Sequence, residues 1–275
     1  MVCRLSQSLT SVPAKAWRPQ GNRGESLDHR HRFKEIMIYV TKEEMEEPRL
    51  ASELLQWVTS KLEEIGQIEG SRPAFTRLKG GLKELVEEIY PLALWGDTLP
   101  NSHEVILEPK IGSQNYDAVV TDTLGRFAPY HVEVTQAHKG DQEFLRRLHL
   151  ERERWSPGPS LPLKRNGTQS TELKVVVRRI LTSLDQVVSD TEGLIEEAIL
   201  RKTKKVYPES THLVIFFEDM VVSAHEGIEN KLCAVIERAV DKQACSFVSI
   251  YLIGSTQRVN VVWHVVSLPV EVIHY

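Results

Sequence analysis

Leu50, Leu54, Leu55, Val58, Leu62 and Ile65 recur at three- and four-residue spacing, the period of a helix that buries one face. The pattern predicts a helix over 43–65, with Thr41 as N-cap and Glu44 completing a capping box. Pro48 delays its start, and Gly66 is placed to stop it. A short strand over 35–40 precedes it. A second helix is predicted over 73–90, weakened by Gly80 and Gly81 and closed by Pro91. The glycine pair suits a break or a close approach of two backbones better than it suits a phosphate.

Beyond residue 100 the period shifts to two. Segments 104–110, 115–121 and 128–136 alternate or carry β-branched residues and read as strands. Residues 122–126, with Gly125, read as the turn joining the last two. A charged helix follows over 141–155, with Phe144, Leu145, Leu148 and Trp155 facing inward. Residues 156–171 are rich in Pro, Gly, Ser and Thr and read as a long loop, the one place for a domain boundary. Helix is predicted over 172–205. Apolar strands over 211–218 and 246–254 flank a helix over 226–241, an order that favours a parallel pair. A last strand runs over 258–266. The fold class that follows is α/β: a mixed central sheet flanked by helices, in a single domain over 35–275. Trp57, Trp95 and Trp263 are assigned to its core.

Composition fills in the class. Hydrophobic residues make up 41% of the 275 positions and charged residues 26%, enough apolar surface for a core. The net charge of −4 speaks against binding nucleic acid through bulk charge, while leaving a local basic groove open. Cys3, Cys233 and Cys245 form no CxxC pair, so neither a zinc knuckle nor a disulfide framework is expected, and a cytoplasmic protein is. No apolar run approaches the roughly 18 residues a membrane helix needs. Residues 1–34 carry Arg4, Arg18, Arg23, Arg30 and Arg32 against only Glu25 and Asp28. This segment reads as a disordered basic leader outside the fold.

The concentrated chemistry lies between Gln114 and His138. Alternate strand residues share a face, so burying Tyr116, Ala118 and Val120 with Val132 and Val134 brings Asp117 and Glu133 together on the opposite face. That register requires an odd-length connection such as Leu124-Gly125-Arg126, or a bulge near Pro129. Paired carboxylates are stable when a cation lies between them or one is protonated. Hard oxygen ligands at such a spot suit Mg²⁺ or Mn²⁺.

The Tyr116-Asp117 and Glu133-Val134-Thr135 elements resemble the core motif of the PD-(D/E)xK nuclease superfamily, the restriction-endonuclease-like fold. That motif is an acid on one strand and acid-x-lysine on the next, flanked by helices. The resemblance covers roughly residues 73–155. It implies metal binding by Asp117 and Glu133, with Glu84, Glu87 or Glu88 of the preceding helix as a third acid. It also implies DNA or RNA as partner, with Gln142, Arg146, Lys164 and Arg165 toward the phosphate backbone. The chain departs from the motif where Thr135 holds the lysine position. Lys139 is then the substitute for the charge that orients water, or Gln136 or His138 contributes. If none does, catalysis is impaired. The rival reading is a non-catalytic α/β interaction module whose long loop meets a protein partner.

Other constellations fall short of their chemistry. His131-Val-Glu133 lacks the downstream PCxxC of zinc deaminases, and the histidines show no HExxH spacing. There is no phosphate-binding glycine loop and no GxSxG elbow. Glu218-Asp219 closes an apolar strand and reads first as a turn. Arg146, Arg147, Arg152 and Arg154 alternate with Glu143, Glu151 and Glu153, which is the spacing of a self-paired helix face.

Overall fold

A seven-stranded sheet of order β1-β2-β3-β4-β7-β8-β9 forms the centre of the fold. The computed structural model describes residues 38–153, 163–166, 174–177, 182–242 and 245–265. The leader over 1–34, Trp155 and most of 156–171 lie outside these residues. All described residues fall in one compact unit. In chain order the elements are α1 (Lys42–Glu46), β1 (Arg49–Leu50), α2 (Ala51–Gln67), α3 (Arg72–Thr76), α4 (Leu82–Glu84), α5 (Tyr90–Asp97), β2 (Val105–Pro109), β3 (Ala118–Asp122), β4 (Tyr130–Gln136), α6 (Gly140–Glu153), β5 (Leu163–Asn166), β6 (Lys174–Val177), α7 (Leu184–Lys202), β7 (Thr211–Phe217), α8 (Ile228–Lys242), β8 (Ser249–Gly254) and β9 (Asn260–His264).

Strands β1 to β4 are antiparallel neighbours, β4, β7 and β8 are parallel, and β9 returns antiparallel. Alternation sorts their side chains onto two faces. Leu107, Val120, Val132, Val134, Val214 and Ile253 pack with Leu54 and Val58 of α2 and Leu92 and Trp95 of α5. Leu213, Ile215, Phe217, Ile250 and Leu252 pack with Ile195 and Ile199 of α7 and Leu232 and Ile236 of α8. The expected parallel pair is β7 with β8. Trp95 is fully buried, whereas Trp57 and Trp263 are only partly buried against the core.

Local signals explain most helix boundaries. The Thr41 hydroxyl accepts from Glu44 N at 3.2 Å and the Glu44 carboxylate accepts from Thr41 N at 2.9 Å, the expected capping box. The helix expected over 43–65 is divided at Pro48, because Arg49 and Leu50 pair as a strand with Leu107 and Ile106. It runs past Gly66 to Gln67. Residues 38–40 of the expected first strand are not a strand. Val40 instead passes against Gly81, whose φ of +86° is open to glycine at little cost and where a Cβ would strike the Val40 carbonyl.

Pro91 does not close the second helix. Its missing N–H and its ring conflict with an ordinary α-helical turn, and the chain answers by widening Leu85–Ile89 into a π-turn. The Gln136 amide of β4 donates to the carbonyl of Glu87 at 3.2 Å and more weakly to that of Val86 at 3.5 Å. With those carbonyls satisfied from the sheet, the helix continues to Asp97.

The second half holds two further corrections. Leu163–Asn166 and Lys174–Val177 form an antiparallel pair, so strands occupy part of the expected loop over 156–171 and the start of the expected helix over 172–205. The β-branched run Val175-Val176-Val177 was the available signal. Helix α7 begins at Leu184, capped by the Ser183 hydroxyl, which accepts from Gln186 N. In α6, Leu145 is buried, but Phe144 is 46% exposed and does not face inward.

The β8–β9 connection is pinned by Asp219, a fully buried carboxylate just past β7. It accepts from the backbone N–H groups of Thr256, Arg258 and Val259 and from the hydroxyls of Ser255 and Thr256. A Cβ on Gly254 would overlap this carboxylate. Asp219→Ala strands several buried donors at once, and a loss of about 3 kcal/mol or more is expected in urea unfolding. Gly254→Ala should destabilise through the same contact, and Asp219→Asn less than Asp219→Ala.

Candidate active site

The β3–β4 hairpin adopts the register that the acid pair requires. Ala118 pairs with Val132, Val119 with His131 and Val120 with Tyr130, which places Asp117 one step beyond the ladder, beside Glu133. The turn is held by Asp122, whose carboxylate accepts from the backbone N–H of Arg126 at 2.5 Å and from its guanidinium at 2.9 and 2.6 Å. That charge-assisted clamp fixes an odd-length loop.

The two strands part at the site. The β3 ladder ends at Ala118, whereas β4 stays paired with β7 as far as Gln136. Residues 133–136 of β4 therefore lack a ladder partner on their β3 side. Asp117 occupies this fork: its N–H donates to Val132 O at 2.7 Å and its Oδ2 accepts from Val134 N at 2.6 Å. A side chain thus substitutes for the missing strand.

Glu133 is 4% exposed and Thr135 7%, because their face of β4 lies under α7 and beside Leu213 and Ile215 of β7. The expected polar face is polar but covered. A carboxylate removed from water needs an opposite charge or donors. Lys202, at the C-terminus of α7, forms an ion pair with Glu133 Oε1, and the Tyr207 hydroxyl donates to the same oxygen at 3.4 Å. Arg201 donates to the Thr135 hydroxyl at 3.0 Å and to the Gln136 carbonyl at 3.4 Å.

Asp117 is pushed up from its ordinary 3.8 to about 7. Burial is the largest cause and the neighbouring Glu133 charge the second; the Val134 N–H opposes the shift, Glu88 adds to it, and Lys202 counters it. Glu88 is also raised, by burial first and then by Glu84, with Lys202 and Glu133 both within electrostatic reach. Tyr207 is raised by burial and by Glu133. Asp117 just before β3, Glu133 on β4, Lys202 on α7 and Glu88 in the π-turn thus feel one another at the fork.

The remaining expected residues are distributed differently. Glu87 pairs with Arg147 of α6 at 3.2 Å rather than joining the acids. Lys139 stands exposed before α6 and makes no ion pair with Asp117 or Glu133 among the described residues. With His138, Gln142 and Arg146 it lines a separate cleft of about 420 Å³, at the carboxyl ends of β4 and β7. The Gln142 amide is spent on β5, exchanging hydrogen bonds with the backbone of Leu163 at 2.8 and 3.2 Å. Arg146 pairs with Glu143 at 3.3 Å. Lys164 and Arg165 lie on β5, and their side chains fall outside the described residues. The residue that sequence reasoning missed is Lys202, nearly 70 positions from Glu133. The only trace of it was a run of cations, Arg201-Lys202-Thr203-Lys204-Lys205, inside a stretch assigned to helix.

A metal can be weighed against this donor set. Among the described residues no group of three or more His, Cys, Asp or Glu is arranged to hold an ion. Asp117 Oδ1 and Glu133 Oε2 nevertheless accept no hydrogen bond among those residues. Mg²⁺ is commonly held by one or two carboxylates with water and substrate phosphate, and carboxylate is the donor type that Asp117 and Glu133 offer.

Two expectations follow for stability. Between about pH 4 and pH 7 the folded chain keeps an Asp117 proton that the unfolded chain has released, so stability falls as pH rises through that window and stays lower above it. Thermal unfolding of Asp117→Asn should lose this fall, gaining on the parent at pH 8 relative to pH 4. Lys202→Met leaves Glu133 buried without its cation and should cost about 3–5 kcal/mol. Adding Glu133→Gln should recover much of that loss in a double-mutant cycle.

No protein-family model, curated protein or solved structure matches this chain, and among the described residues no helix is long and apolar enough to cross a membrane.

Proposed function

We propose that this protein is a metal-dependent phosphodiesterase acting on nucleic acid, with a restriction-endonuclease-like fold and its lysine supplied from outside the usual strand. The observation that carries the reading is the convergence of Asp117, Glu133 and Lys202 where β3 and β4 part. A helix precedes the hairpin and another follows it, as the PD-(D/E)xK resemblance implies.

Thr135 and Glu133 share a face, so a lysine at 135 would have projected toward α7. Helix α7 instead delivers Lys202 to Glu133 from the other side, and Arg201 takes the Thr135 hydroxyl. In this reading Asp117 and Glu133 would hold Mg²⁺ or Mn²⁺, which would supply an activated water and answer charge developing on the phosphate. Holding the ion would require Asp117 in its unprotonated form, so affinity is expected to rise with pH through about 7. The Lys202 ammonium orients water beside Glu133, and Glu88 adds negative charge that draws a cation in. Lys139 and Glu87 carry no catalytic role.

The test is calorimetric Mn²⁺ titration beside cleavage of DNA and RNA, comparing the parent with Asp117→Ala/Glu133→Ala, Lys202→Met and Lys139→Ala. The double variant should bind no metal and cleave nothing. Lys202→Met should keep metal binding and lose roughly 100-fold or more in cleavage, the scale of one positioned acid–base group. Lys139→Ala should match the parent. No metal heat and no cleavage by the parent would leave Glu133, Lys202 and Tyr207 as a structural pin. The protein would then be a non-catalytic interaction module.

A further inference from the structure

We infer that residues 201–205 form a basic strap that grips the phosphodiester backbone of nucleic acid directly beside the acid pair. This rests on the phosphodiesterase reading for its orientation, and on separate observations for the surface itself.

The chain from Arg201 to Tyr207 runs along the fork and is fastened to it repeatedly. Arg201 bonds Thr135 and the Gln136 carbonyl, Lys202 pairs with Glu133, and Tyr207 donates to Glu133 Oε1. The Val206 carbonyl accepts from Asn115 Nδ2 at 2.9 Å, two residues before Asp117. Lys204 and Lys205 lie between these anchors and are exposed. Arg201, Lys204 and Lys205 form no ion pair among the described residues, although the chain as a whole carries a net −4. Unpaired cations concentrated on an otherwise acidic protein create a local attraction for a polyanion.

Cations near the end of a helix also complement its dipole. That accounts for Arg201 or Lys202 by sequence position, but not for the arrangement. Lys204 and Lys205 lie beyond the last residue of α7, and the hydrogen bonds of Arg201 among the described residues go to Thr135 and Gln136 of β4. Among the described residues Arg201 uses one terminal nitrogen, Nη2, for both of them. Its other N–H groups have the planar geometry that phosphate accepts. The Glu133 charge beside the strap is matched by Lys202.

The experiment is fluorescence anisotropy of labelled single-stranded and duplex DNA and RNA with the full chain in EDTA, over a range of salt. Binding without a divalent ion separates the strap from catalysis. The parent should bind with a clear salt dependence. Lys204→Ala/Lys205→Ala, both at exposed positions, should weaken binding about tenfold near 0.1 M salt and flatten the log–log slope by roughly 1.5 to 2. Adding Arg201→Ala should flatten it by a further 0.7 to 0.9 or so. Asp117→Asn should bind at least as tightly as the parent. An unchanged slope in the double lysine variant overturns the inference, as does a parent that binds no oligonucleotide. Binding to phosphatidylserine-containing vesicles in place of every oligonucleotide also overturns it. Normal strap-dependent binding with no cleavage under Mn²⁺ supports the strap while refuting the catalytic reading.

Discussion

Glu133 lies on β4 in the middle of a mixed sheet, on a face covered by a helix, and a carboxylate there must be answered by charge. The C-terminal turn of α7 provides the answer through Lys202 and, a few residues on, Tyr207. This requirement reaches well beyond one ion pair. It ties the end of α7 to β4, fixes where the chain re-enters the sheet as β7, and draws the Arg201–Tyr207 segment across the opening between β3 and β4. If Glu133 were apolar, the same helix could pack on the same sheet with greater freedom in its rotation. The acid therefore contributes specificity of arrangement where it adds little or nothing to net stability.

Asp117 presents the complementary situation. It fills a place in the backbone ladder that no strand occupies, and its Oδ2 satisfies the Val134 N–H. The same position puts it close to Glu133, so the group that completes the hydrogen bonding also carries an unfavourable charge. These two roles can be satisfied together by holding a proton or by admitting a cation. A site with that choice is poised to take up positive charge, and the phosphodiesterase reading draws on this property.

Much of this architecture was legible in the chain. The strand pattern around Asp117 and Glu133 fixed their parity, and the need for an odd-length turn was met by the Asp122–Arg126 clamp. The capping box at Thr41 and the parallel β7–β8 pair could also be read locally. What could not be read depended on distance in sequence. Lys202 reaches Glu133 only because α7 crosses the sheet at one particular place, and no spacing rule spans that separation. Burial of the acid face was similarly hidden, since alternation gives which side chains share a face but not what covers it. Gln142 looked like a free polar group because its partner, the backbone of Leu163, lay in a stretch assigned to loop. Pro91 was assigned the end of a helix because the carbonyls its ring disturbs are rescued by Gln136, a residue of the sheet.

That last arrangement has a consequence for the helix as a whole. One extra residue in a turn advances the angular position of everything after it by about 100°. The π-turn before Pro91 therefore acts as a phase adjuster between two halves of one rod. The half before it presents Leu82 and Leu85 to the core, and the half after it presents Leu92 and Trp95. Glu87 and Glu88 sit inside the adjuster and leave the helix in different directions, one to Arg147 and the other within reach of the acid pair. Which of two adjacent glutamates senses the site is decided by a helical phase that a proline sets and a glutamine on the neighbouring strand locks.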